Sequence, residues 1–86
     1  MKTLDTLRSE IDDADRSLMD LLAKRLAIAR EIGKVKKQEH ADTVDAKREE
    51  EMLKNLVNRG KSHDLSETFV HSLWKLIVQE SYKMQE

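Results

Sequence analysis

"LMDLLAKRLAIAREIGKVKK", residues 18–37, reads as one strongly amphipathic helix with a fault in it. Arg25 stands where the apolar spacing demands a leucine, and Lys36 falls on the same apolar side. Toward the start of the chain the pattern continues through Leu4, Leu7, Ile11, Ala14, Leu18 and Leu21; past the fault it resumes at Ile28, Ile32 and Val35. The steps alternate three and four, which makes a heptad seam broken only at Arg25. Leu22, Leu26 and Ala29 widen the stripe, and no proline interrupts it. The spacing predicts a helix from about Asp5 to Gln38, about 50 Å long at 1.5 Å per residue. A compact globule of 86 residues has a radius of gyration of roughly 12 Å. The helix therefore overshoots its own domain, and a second copy of the chain is the simplest cover for the excess seam.

Two shorter helices are predicted downstream. One runs from about Val44 to Arg59, with Met52, Leu53, Leu56 and Val57 facing inward and Gly60 as its stop signal. The polar stretch "KQEHADTVD" separates it from the first helix, and "KSHDLSE" follows it as a loop. Asp64 and Glu67 have capping-box spacing, with Ser66 as the alternative cap. The third helix extends to about Met84, with Phe69, Val70, Leu73, Trp74, Ile77 and Val78 as its core face. The fold class expected is all-α, three helices in one domain over residues 1–86.

Composition limits the function classes. The chain is 38% charged yet carries a net charge of −1, so no general affinity for nucleic acid or an anionic membrane is expected. No apolar run approaches the ~20 residues that span a bilayer, and "MKTLDTLRSE" has no apolar signal region. A cytoplasmic protein is the expectation. With no cysteine, disulfides and thiolate chemistry are excluded. His40, His63 and His71 lack ligand spacing, so no metal is expected.

The misplaced polar residues carry the functional signal. Arg25 alone reads equally as a device that sets helix register, and Lys36 alone as a lysine reaching for solvent from a helix end. Together they bracket a gap of small-molecule size, about 16 Å between Cα atoms. Gly33 lies between them and implies close approach of a ligand or another backbone. Arg8 borders the seam. Asp45, Arg48 and Glu49 lean toward the apolar side of the second helix, where the plainer reading is a solvated first turn favoured by the helix dipole. Ser81 and Gln85 continue the apolar line of the third helix, one residue short of the last position, where fraying is expected. Converging cations without counter-charge are costly to bury. The missing charge is then a ligand with at least two negative groups, and arginine forks suit carboxylates. No nucleophile–base pair accompanies them, so the set points to binding and electrostatics.

The stretches "LRSEIDDADRSLMDLLAKR", "IGKVK", "VDAKREEEML" and "HSLWKLIVQES" resemble the all-helical AroQ class of chorismate mutases along nearly the whole chain. The ordered set Arg8, Arg25, Lys36, Asp45-x-x-Arg48-Glu49, Ser81 and Gln85 carries that resemblance. It implies an intertwined homodimer with two shared sites and a cofactor-free Claisen rearrangement of chorismate to prephenate, on the way to phenylalanine and tyrosine. By position, the resemblance gives Arg8 to the partner's site. Arg25, Arg48 and Ser81 would join it on the two carboxylates, with Lys36 and Gln85 on the ether oxygen. Glu49 would meet the ring hydroxyl, with Asp45 nearby. Where the family often has proline before "V-x-D", this chain has Thr43, which predicts a looser loop. The competing functions are an isochorismate pyruvate-lyase with the same fold, and a non-catalytic helical dimer.

Overall fold

The structure is a computed structural model and describes residues 1–40 and 45–86. It contains three helices, α1 (Leu4–Glu39), α2 (Ala46–Lys61) and α3 (Glu67–Gln85). Val44, the predicted start of α2, and Thr43 lie outside the described residues.

Each helix begins on a side-chain cap. Thr3 accepts from the Thr6 amide at 3.1 Å, Asp45 from the Arg48 amide at 3.0 Å and Ser66 from the Phe69 amide at 3.1 Å. Caps of this kind contribute about 1 kcal/mol each. Ser66 therefore caps α3 and the Asp64–Glu67 box does not form. Asp64 instead takes a left-handed conformation with φ 60°, which aspartate tolerates. α1 ends where His40 turns left-handed, with φ 55°.

Gly60 is not the stop signal that its position predicts. It lies inside the last turn of α2 and has no positive φ. Its missing side chain serves packing: a methyl group there would sit 2.9 Å from Val70 Cγ2. Its carbonyl accepts from the amides of His63 and Leu65, both at 2.9 Å, and so closes the turn into α3.

α3 packs against both α1 and α2, while α1 and α2 do not approach each other's backbone among the described residues. The core is small: Ala29, Val57 and Val70 are the buried apolar side chains. Met52, Leu53, Leu56, Trp74, Ile77 and Val78 are half-buried around them. Phe69 and Leu73, expected in the core of α3, are exposed in the single chain. The apolar residues of the predicted seam of α1 are exposed from Leu4 to Val35, while Arg25 among them is half-buried. The face of α1 against α3 lies one position over, at Leu22, Leu26, Ala29 and Gly33. The molecule extends 57 Å in its longest direction, with a radius of gyration of 16.3 Å. Its surface of 7338 Å² exceeds the roughly 5,200 Å² of a folded monomer of this mass.

Candidate active site

Gly33 fixes where the end of α3 meets α1. A methyl group at Gly33 would lie 2.6 Å from Gln85 Cα, so only glycine admits the α3 backbone at that point. Of the two explanations for this glycine, a neighbouring backbone is the one seen. Gln85 is consequently held, not frayed: it is the last residue of α3 and only 8% exposed. Lys36 follows Gly33 by one turn and is thereby set beside Gln85, with Nζ donating to Gln85 Oε1 at 3.4 Å.

Two turns earlier, Arg25 faces α3 and α2 together. Its Nη1 donates to Ser81 Oγ at 2.5 Å and its Nη2 to Met52 Sδ at 3.6 Å. Ser81 is buried and its hydroxyl donates to the Ile77 carbonyl at 2.9 Å, which leaves its oxygen as an acceptor for Arg25. Burial holds the Arg25 guanidinium below its ordinary range, and repulsion from Arg48 pushes in the same direction.

Seven of the eight residues nominated by the sequence line one cavity of about 310 Å³. Arg25 and Lys36 come from α1, Arg48 and Glu49 from the first turn of α2, and Ser81 and Gln85 from α3, with Asp45 at the α2 cap. Ile32, Val78 and Tyr82 supply apolar walls. Asp45 already spends a carboxylate oxygen on capping α2. Glu49 Oε1 is buried and has no hydrogen-bond partner among the described residues, so it is an acceptor facing an unfilled role. The described ion pairs lie elsewhere, between Lys2 and Glu10, Arg16 and Asp13, His71 and Glu67, and Lys83 and Glu80. Neither Arg25 nor Arg48 has a carboxylate at ion-pair distance among the described residues. No cluster of His, Asp or Glu able to hold a metal occurs among them either, and no helix is long and apolar enough to cross a membrane.

Arg8 is the eighth residue, and it does not line the cavity. It lies seventeen positions before Arg25 on the same unbroken helix, about 25 Å away along the axis. Met52 is the contact that sequence reasoning missed, because a thioether at an apolar position reads as core.

Cations from α1 and α2 and hydrogen-bonding groups from α3 surround one small cavity, beside an unpaired carboxylate oxygen, an arrangement whose chemistry suits a small polyanion bearing a hydroxyl. Residues 7–86 match the family described as chorismate mutase type II. The chain belongs to this family. It is 36% identical over 80 residues to a bifunctional chorismate mutase/prephenate dehydratase of Escherichia coli K12, a match covering 93% of this chain and 21% of the relative. It is 35% identical over 82 residues to the T-protein of Haemophilus influenzae, covering 95% of this chain and 22% of that protein. The chain thus spans about a fifth of the length of these curated relatives. Among solved structures it is similar to a conserved hypothetical protein from Pyrococcus furiosus, with a TM-score of 0.77 and 35% identity, covering 100% of this chain and 99% of that one. The all-helical, three-helix architecture is consistent with this family.

Proposed function

We propose that the chain catalyses the rearrangement of chorismate to prephenate, in homodimers whose two sites each combine Arg8 of one copy with Arg25, Lys36 and Arg48 of the other. The observation that carries this reading is the cavity in which Arg25 and Arg48 repel each other and, among the described residues, have no carboxylate at ion-pair distance. A substrate with two carboxylates supplies what they lack. The dimer is supported by the exposed seam of α1, by the surplus of accessible surface, and by the distance of Arg8 from its own cavity.

The reaction breaks an ether C–O bond and forms a C–C bond within one molecule, with no proton transferred. Catalysis then has two sources. The arginines and Ser81 hold the flexible substrate in its compact reactive shape. Lys36, together with the amide NH₂ of Gln85, stabilises the negative charge that develops on the ether oxygen. With Gln85 Oε1 accepting from Lys36, the NH₂ is the end of that amide able to donate. Glu49 Oε1 accepts from the ring hydroxyl, and Asp45 holds the first turn of α2 in place through its cap. A millionfold acceleration requires about 8 kcal/mol, within reach of positioning plus two or three well-aimed donors.

The test is direct. The chain is incubated with chorismate and, separately, with isochorismate, and products are identified. Prephenate from chorismate is expected. Pyruvate release from isochorismate alone would assign the lyase reaction instead. Absence of saturable binding by a dicarboxylate analogue would leave a structural dimer.

A further inference from the structure

We infer that Met52 is a positioning residue whose thioether sulfur fixes the orientation of the Arg25 guanidinium across the cavity. The inference rests on the reading of the cavity given above. Arg25 reaches out from α1, and one hydrogen bond to Ser81 on α3 leaves its planar head free to swing about that contact. The second contact comes from a different helix, with Met52 Sδ on α2 3.6 Å from Nη2. Two anchors on two terminal nitrogens define the plane of the fork. Of the five N–H groups of a guanidinium, three then remain for a ligand.

The choice of sulfur has a chemical reason. A carboxylate at position 52 would pair with Arg25 and compete with an anionic substrate. A leucine would fill the space and accept nothing. A thioether is apolar enough for the half-buried wall of the cavity, yet it is a weak acceptor with direction. It orients the cation without neutralising it. Repulsion from Arg48 makes such a restraint useful, since it drives Arg25 away from the side where both must act.

The experiment compares Met52→Leu and Met52→Gln in the full chain. Leucine keeps volume and apolarity and loses the acceptor; glutamine keeps length and supplies a carbonyl oxygen. If Met52 positions Arg25, Met52→Leu lowers kcat/KM about threefold to tenfold, the range of one modest hydrogen bond, and Met52→Gln restores most of it. If Met52 only fills space, the order reverses: leucine is neutral and the buried amide is harmful. A second readout is independent of turnover. Rotation of the Arg25 guanidinium about its Nε–Cζ bond, followed by nitrogen NMR, is slow in the parent and faster in Met52→Leu. Equal rotation in both overturns the inference whatever the catalytic result. A parent that rotates slowly but does not consume chorismate overturns the proposed function and leaves the role of Met52 standing.

Discussion

Two lines of residues run along α1, one position apart, and in the single chain they are buried to different degrees. The first is the heptad seam, in which Leu4, Ile11, Leu18 and Leu21 are each about 60% exposed and Ile28, Ile32 and Val35 nearly half exposed. The second begins at Asp5, Arg8, Asp12 and Asp15 and continues as Leu22, Leu26, Ala29 and Gly33. Its first half is polar and exposed; its second half packs on α3 and contains the two buried residues of the helix. The short stretch of Ala29 and Gly33 builds the chain's own fold and cavity. The long seam stays exposed from Leu4 to Leu21, while Ile28 and Ile32 border the cavity; in the proposed homodimer its apolar residues are the ones a second copy would cover.

The sharpest test of the packed line is Lys36, at its far end. If Lys36 acts on charge formed only in the transition state, Lys36→Ala lowers kcat by on the order of 10²-fold or more. A change confined to KM, measured by steady-state kinetics, would make Lys36 a binding residue and remove the electrostatic mechanism.

The two lines meet in one site if Arg8 and Arg25 serve it from different copies. Arg8→Ala and Arg25→Ala homodimers are each expected to be nearly inactive. Unfolded together and refolded as an equal mixture, about half the dimers are mixed by random pairing. One site of each mixed dimer then has both arginines and the other has neither, so activity recovers toward about a quarter of the parent's. Sites built within single chains give no recovery.

Gly33→Ala tests the packed line as a matter of folding. The added methyl meets α3 backbone at 2.6 Å. The cost is about 1–3 kcal/mol, partly offset by ~1 kcal/mol of better helix propensity. Thermal melting should show a lower Tm by an amount independent of protein concentration. Ile11→Ala, on the seam, should lower Tm by an amount that varies with concentration, because it acts through association.

Much of this was legible in the sequence. The period of α1 gave its length to within a residue at each end, and polar residues at apolar spacings marked the cavity. Which of two adjacent lines packs internally was not legible. Both carry apolar residues around 21–29, and the decision rests on whether α3 can approach Gly33, a fact of three dimensions. Gly60 misled for a related reason. Glycine near a helix end commonly relieves backbone strain, whereas here it makes room for Val70. Phe69 and Leu73 read as core because periodicity reports an apolar face and not what covers it.

The smallest expected effect concerns Arg16, and it isolates the seam from mere exposure. Arg16 is on the N-terminal half of α1, about one and a half turns beyond Ile11, and is also exposed in the single chain. It pairs with Asp13 at 2.7 Å, but both side chains are about 70% exposed. In the heptad frame set by Leu4 and Leu7 it occupies the outermost position, opposite the seam. Solvent screens such a pair, and holding two long side chains in one geometry costs most of what the attraction gains. Arg16→Ala should therefore change stability by less than ~0.5 kcal/mol and leave the concentration dependence of melting untouched. The comparison with Ile11→Ala, made by melting at two concentrations a hundredfold apart, is what matters. If the two substitutions act alike, the seam has no special standing and the dimer it implies loses its support. If only Ile11→Ala responds to concentration, the exposed apolar line is the surface that a second copy covers.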